Sequence, residues 1–129
     1  PKDPVVVMLD DRGYNGAGCG EKAMAYIARH PDIQVLGVLA VASNTAQTCG
    51  CTVDLSVSRD GEIIEKPVDK LGRPGDDLLK GDTVEIIDKL DIPLIVGIGD
   101  IGKMDGADDV DKGAPLTTRA LQSILAKNH

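Results

Sequence analysis

Carboxylates and glycines concentrate in two loops, residues 10–20 and 97–106, and each loop follows a short apolar run. Paired carboxylates can hold a hard cation such as Mg2+ or Ca2+, and glycines let a ligand or partner approach the backbone closely. A third apolar run, 33–42, is followed by small polar residues that could reach the same place. The candidate ligand- or partner-binding residues are Asp10, Asp11, Gly13, Gly16, Gly18, Ser43, Asn44, Gly97, Gly99, Asp100, Gly102 and Lys103.

The nucleophiles and bases of the common enzyme classes are not arranged for catalysis in this sequence. Neither G-x-x-x-x-G-K-[ST] nor G-x-S-x-G occurs, and of the two histidines one is terminal and the other, His30, is expected to close a helix. Residues 16–21 read G-x-G-x-G-E, which does not match the dinucleotide fingerprint G-x-G-x-x-G. Cys19 would begin a helix, but no histidine is expected nearby to activate its thiol. We therefore expect a non-enzymatic chain with no catalytic residue, no cofactor and no resident metal.

The two loops leave a second interpretation open. Ligands of parallel α/β sheets bind beyond the carboxyl ends of the strands, and both loops would lie there if each apolar run is a strand. Asp10, Asp11 and Asp100 would then be placed to hold a divalent cation. The alternative function is therefore a small-ligand or divalent-metal-binding domain, a degenerate α/β enzyme that uses the two glycine and aspartate loops.

Composition restricts the class of protein and of partner. The 129 residues are expected to form one domain, 1–129, and a hydrophobic content of 42% supports an ordinary core. A net charge of −7 and an aromatic content of 2% argue against nucleic-acid binding through phosphate contacts or base stacking. No apolar run is long enough for a transmembrane helix. Three cysteines, two of them one residue apart, fit neither a zinc knuckle nor a C-x-x-C redox pair.

The loops must be positioned by strands that are buried on both faces. Residues 5–9 are apolar without alternation, which predicts such a strand, and residues 33–42 predict a second one. Between them an apolar helix stripe ends at His30, because Pro31 disfavours helix at the residue before it. Residues 4–42 therefore predict a βαβ unit with parallel strands and a right-handed crossover.

A β-hairpin is predicted in the middle of the chain. Residues 52–58 alternate with period two, residues 59–62 have turn composition, and a returning run ends at residue 68. The alternation indicates that one face of the hairpin is in water. A plain doubly wound fold has a helix at this point, so the hairpin, about 52–68, is an insertion and a candidate partner surface.

The remaining elements complete a layered fold. Asp82 and Glu85 have the spacing of a capping box, which predicts a helix start, and residues 94–98 predict the third parallel strand. Pro115 suits the first turn of a final helix. The apolar stripe of that helix is expected at Leu121, Ile124 and Leu125. The predicted class is α/β, with three layers: a mostly parallel βαβ-type sheet flanked by helices, with an inserted β-hairpin.

Several segments together resemble one family. They are V-V-V-M-L-D-D-R-G at 5–13, V-L-G-V-L-A-V-A-S-N-T at 35–45, V-D-K-L-G at 68–72 and, most specifically, I-V-G-I-G-D-I-G-K-M at 95–104. The chain is similar over essentially its whole length to stage V sporulation protein AE of spore-forming Firmicutes, the soluble AEa type. Members of that family carry a further amino-terminal region, so the resemblance implies that this chain corresponds to their carboxyl-terminal domain.

The resemblance also implies a role. It implies a soluble protein peripheral to the spore inner membrane, part of the machinery that moves dipicolinic acid with calcium in sporulation and germination. It implies no enzymatic activity and supplies no catalytic motif. The expected partners are the other stage V sporulation A proteins, with no nucleic acid and no transmembrane segment. The acidic surface and the hairpin would then serve contacts with those proteins.

Overall fold

A computed structural model describes residues 4–10, 18–43, 50–75, 77–81, 84 and 86–128. The helices and strands in these residues are α1 (Cys19–Arg29), β1 (Val38–Val41), β2 (Leu55–Val57), β3 (Ile63–Ile64), β4 (Ile95–Ile98) and α2 (Pro115–Lys127). Short 3-10 helices span Ile87–Lys89, Ile101–Lys103 and Val110–Lys112. The predicted capping box at Asp82 and Glu85 lies outside the described residues, and only the 3-10 turn follows it.

The four strands form one mixed sheet in the order β1-β4-β2-β3. β4 is parallel to both of its neighbours, with Val38 opposite Ile95 on one side and Leu55 opposite Val96 on the other. β3 pairs antiparallel with β2. The sheet is therefore mostly parallel, and the predicted α/β class is confirmed.

The sheet is covered on both faces, which explains why its strands read as continuous apolar runs. On one face α2 contacts β4, β2 and β1, and it buries Leu116, Ala120 and Ile124 in the core. On the other face Leu79 and Ile87 are buried. Other members of that second cluster are Ala40, Ala42, Cys51, Val68 and Val84, with Met24 of α1 packed against them. Of the predicted α2 stripe, Ile124 is buried and Leu125 is 37% exposed.

The amino terminus of α2 is capped by a residue outside the helix. Asp108 is fully buried and its Oδ1 accepts hydrogen bonds from the backbone N–H of Leu116 (2.7 Å) and Thr117 (3.0 Å). Its Oδ2 accepts from the Thr117 hydroxyl at 2.6 Å. Ala114, at the formal N-cap position, has a left-handed backbone with φ 44° and offers no side-chain acceptor. Asp108 therefore satisfies the free amides with which every helix begins.

The first predicted strand is wrong. Residues 5–9 are not in the sheet, and Val5, Val6, Val7 and Met8 are between 59% and 86% exposed. The predicted βαβ unit over 4–42 is therefore wrong too, and the second strand is shorter than expected, since it begins at Val38. An apolar run indicates burial but does not identify the partner strand that would provide it.

The hairpin is confirmed in its turn and corrected in its position. Ser58 N–H donates to the Glu62 carbonyl at 2.8 Å, and Gly61 adopts the left-handed φ of 82° that the turn requires. However, β2 also pairs with β4, so it is an interior strand and not part of an insertion. Ser56 and Val57 are both fully buried, so the predicted wet face is absent from this strand. Only β3 lies at the lateral edge.

Candidate functional site

The parallel strands bring three loops to one end of the sheet. β1, β4 and β2 run in the same direction, so their carboxyl ends lie together. Ser43, Asp100 and Arg59 follow these strands within two residues. We call this region the carboxyl end of the sheet, and it is where the loop at 97–106 was expected to act.

The glycines of β4 are required for packing. A Cβ placed on Gly97 would lie 2.5 Å from Ser56 Oγ and 2.7 Å from Leu79 Cδ1. A Cβ on Gly99 would lie 2.6 Å from the backbone N of Gly72 and 2.7 Å from Met104 Sδ. These separations are far below ordinary contact distances of about 3.5–4.0 Å between carbon atoms. The space beside both glycines is therefore filled by the protein itself.

A turn from elsewhere in the chain covers the carboxyl end. The Lys70 carbonyl accepts a hydrogen bond from Asp100 N–H at 2.9 Å, and the Gly72 carbonyl accepts one from Arg59 N–H at 2.8 Å. Asp69 Oδ1 stabilises the turn by accepting from the N–H of Leu71 at 2.9 Å and of Arg73 at 3.0 Å. Residues 69–73 therefore hold the loops after β4 and β2 together.

The charged residues at this end pair with one another. Asp100 Oδ1 accepts the Gly102 N–H at 3.1 Å, and its Oδ2 lies 3.6 Å from Lys103 Nζ. The Arg59 guanidinium contacts Asp105 Oδ2 at 2.8 Å, where Arg59 is 29% and Asp105 86% exposed. Pairs this exposed contribute about 0–1 kcal/mol each, so they close the surface without greatly stabilising it. That these residues bind a ligand stays a prediction.

The first glycine loop is only partly described. Asp10 is exposed, and its backbone carbonyl lies where a Cβ on Gly20, in the first turn of α1, would come within 2.9 Å of it. Gly18 is the N-cap of α1 and its carbonyl accepts from Lys22 N–H at 3.0 Å. Ser43 N–H donates to the Lys80 carbonyl at 2.9 Å. The candidates Asp11, Gly13, Gly16 and Asn44 lie outside the described residues.

The structure does not assemble a cation site in the residues that it describes. Within them, no group of three or more histidine, cysteine, aspartate or glutamate side chains is close enough to hold a metal ion. Two shallow surface grooves are present, one along α1 from Lys22 to Pro31 and one beside Thr52 and Pro67. None of the described candidate residues lines either groove.

Cys51 is a buried thiol next to a carboxylate. Its side chain is fully buried, and burial, together with the charge of Asp88, raises its pKa from 9.0 to about 12. Asp88 is itself held by Thr52, whose hydroxyl and N–H donate to it at 2.8 and 3.0 Å. The expected semi-buried, inert role of this cysteine agrees with that environment, because the thiolate is the reactive form.

The comparison with protein families decides the identity of the chain. The family model for stage V sporulation protein AE1 matches residues 1–128. The chain belongs to that family. No curated protein and no solved structure matches it significantly.

Membership of the stage V sporulation protein AE1 family makes this a sporulation-related protein. Among the described residues, no helix is long and apolar enough to cross a bilayer. The family's most recognisable segment, 95–104, contains the tightly packed Gly97 and Gly99. Sequence reasoning missed Arg59, Gly72 and Asp105 at this end of the sheet. Arg59 follows a predicted strand, which was the one signal for it.

Proposed function

We propose that this chain is a non-enzymatic subunit of the machinery at the spore inner membrane that moves dipicolinic acid with calcium. It acts in sporulation and germination through contacts with the other stage V sporulation A proteins, and it is peripheral to the membrane. The match to the sporulation family over residues 1–128 supports this assignment. The observation that carries the non-enzymatic part is the carboxyl end of the sheet.

That end of the sheet is occupied by the chain's own groups. Gly97 and Gly99 are covered by side chains and backbone, and Asp100 is held by its own turn and by Lys103. A catalytic group must reach a substrate and exchange a proton or bond with it. Polar groups that are engaged in the fold are better suited to shape a recognition surface.

The lateral edge formed by β3 is our candidate partner surface. β3 is the last strand of the sheet, and Ile63 on it is 46% exposed. An extended segment of a partner can add to such an edge through backbone hydrogen bonds, while side-chain pockets select the partner. A net charge of −7 disfavours direct attraction to anionic lipid, so contact with membrane proteins is the favoured route to the membrane.

Copurification with the other stage V sporulation A proteins tests the proposal. We expect the tagged chain to retain them from detergent extracts of sporulating cells, and Ile63→Lys to reduce the yield at least about tenfold. Ile33→Lys is the matched control, because Ile33 is 43% exposed but lies outside the strands. Equal yields with both variants would remove the β3 edge from the proposal. Failure of the unmodified chain to retain any of these proteins would overturn it.

Calorimetry separates the subunit role from the alternative of ligand binding. The isolated chain is titrated with Ca2+, Mg2+ and dipicolinate, each alone and in combination. We expect no binding heat at millimolar ligand. A saturable heat that disappears in Asp100→Asn would favour a small-ligand or divalent-metal site at the carboxyl end of the sheet. The same variant leaves the β3 edge intact, so it is not expected to change copurification.

A further inference from the structure

Residues 5–9 form an exposed apolar segment. Val5 is 65%, Val6 71%, Val7 59% and Met8 86% exposed. Isolated surface hydrophobics are common, but a contiguous run of this kind marks a surface that is covered by something else. Each such side chain contributes about 1.5–3 kcal/mol when it is fully buried. The segment therefore has a strong tendency to find a partner.

The same chain carries an open strand edge. In the part of the chain that the structure describes, β1 pairs with β4 on one side and with no strand on the other. Its sequence is Val-Leu-Ala-Val, without the lysine, proline or bulge that usually protects an edge from pairing. The backbone of β1 is therefore a template for another strand.

The segment and the edge are complementary in character. β1 contributes side chains to both core clusters, with Leu39 on the α2 face and Ala40 on the opposite face. A strand added beside β1 continues both faces, so it must be apolar at consecutive positions and not only at alternate ones. Residues 5–9, Val-Val-Val-Met-Leu, meet that requirement with β-branched residues that favour strands.

The fold keeps the segment away from its own sheet. Immediately after it, the Asp10 carbonyl lies against Gly20 in the first turn of α1, where a Cβ would come within 2.9 Å. The segment is exposed in the same structure in which the β1 edge is open. A second copy of the chain has both features as well, and a reciprocal exchange satisfies all of them by a two-fold arrangement.

We propose that two copies of this chain associate through reciprocal strand addition, in which residues 5–9 of each copy pair with the open edge of β1 in the other. The inference goes beyond the proposed subunit role and does not depend on it. The contact is isologous and closed, so it produces a dimer and not a filament.

Light scattering coupled to size-exclusion chromatography tests the association. We expect a concentration-dependent dimer, and Val6→Lys should raise its dissociation constant at least about tenfold. Because Val6 is exposed, the circular dichroism of this variant should be unchanged. Ile33→Lys, at another apolar exposed position, is the control and should leave the dimer intact. A monomer at all concentrations up to about 1 mM would overturn the proposal.

Disulfide trapping identifies which edge the segment occupies. Chains carrying Val7→Cys and chains carrying Leu39→Cys are made separately, mixed and oxidised, and the linked peptides are identified by mass spectrometry. A 7–39 disulfide between the two different chains supports the exchange, because neither chain can form it alone. A control mixture of Val7→Cys with Gln122→Cys, which is exposed on α2, should not form a link. If only a chain with both substitutions forms the 7–39 link, and forms it internally, the segment belongs to its own sheet and the proposal is wrong.

Discussion

Replacing Gly97 with alanine should destabilise the sheet through one identifiable contact. The new Cβ would lie 2.5 Å from Ser56 Oγ, 2.7 Å from Leu79 Cδ1 and 3.4 Å from Ser56 Cβ. The Leu79 contact involves the end of a flexible side chain, which can move, whereas Ser56 is fixed on the neighbouring strand β2. Overpacking of this kind costs about 1–3 kcal/mol. Relief of the unfolded-state entropy of glycine offsets about 0.4–1 kcal/mol of that cost.

Ser56→Ala provides the second side of a double-mutant cycle. Ser56 is fully buried and, within the described residues, its Oγ has no hydrogen-bond partner. Removing a buried hydroxyl without a partner is neutral or stabilising by up to about 1 kcal/mol. It also removes the atom that the new Cβ at position 97 would strike. We therefore expect Gly97→Ala to cost much less in the Ser56→Ala background, with a coupling energy of about 1–2 kcal/mol.

Urea unfolding followed by far-ultraviolet circular dichroism measures the four free energies of unfolding. The backbone signal is suitable because the chain has no tryptophan and only two tyrosines. Gly102→Ala is the control, since the nearest atom to its new Cβ is Asp100 Oδ1 at 3.8 Å. That variant should be neutral or slightly stabilising. Additivity of Gly97→Ala and Ser56→Ala within about 0.5 kcal/mol would refute the reasoning that this contact excludes a side chain.

Two further predictions concern buried polar groups. Asp108→Ala should lower the free energy of unfolding by about 2–4 kcal/mol in the same urea assay, because three hydrogen bonds at the start of α2 are lost. Asp109→Ala, at an exposed neighbour, should cost less than about 1 kcal/mol, and equal losses would contradict the capping role. For the buried Cys51, native chain at pH 8 should resist alkylation while the exposed Cys19 reacts, as peptide mass spectrometry would show. Since the folded thiol of Cys51 stays protonated to a pKa of about 12 and the unfolded one ionises near 9.0, stability should fall as pH rises through that interval. Cys51→Ala should remove that part of the pH dependence, and an unchanged pH profile would count against it.

Local signals predicted the elements that local interactions stabilise. Pro31 ends α1 at the expected place, Pro115 begins α2, and Gly61 closes the hairpin turn. The strand β4 was predicted from four apolar residues between a proline and a glycine-rich loop, and it became the centre of the sheet. In each case the residues that set the structure are within a few positions of the feature.

The errors arose where the decisive partner is distant in sequence. The run at residues 5–9 has the composition of a buried strand, but composition does not supply the neighbouring strand that makes it one. The hairpin strand β2 was expected to have a wet face, and its pairing with β4 buries both Ser56 and Val57 instead. Asp108 was one of several acidic loop residues until the fold placed it at the start of α2.

The candidate site shows the same limit. The glycines after β4 could equally allow a ligand or a neighbouring part of the protein to approach, and the sequence does not distinguish these cases. The structure places Gly72 against Gly99, in a turn whose hydrogen bonds to Asp100 and Arg59 cover the carboxyl end. No short-range pattern links that turn to the loop that it covers.

The strand order makes the two proposed surfaces independent of each other. β1 is at one lateral edge of the sheet and β3 is at the other, with β4 and β2 between them. A second copy on β1 therefore leaves β3 available, so a dimer could present two partner surfaces. If copurification falls with Ile63→Lys but not with Val6→Lys, partner binding does not require the dimer. If both variants reduce it, the membrane partners recognise the two-fold assembly, because two linked contacts bind more tightly than one.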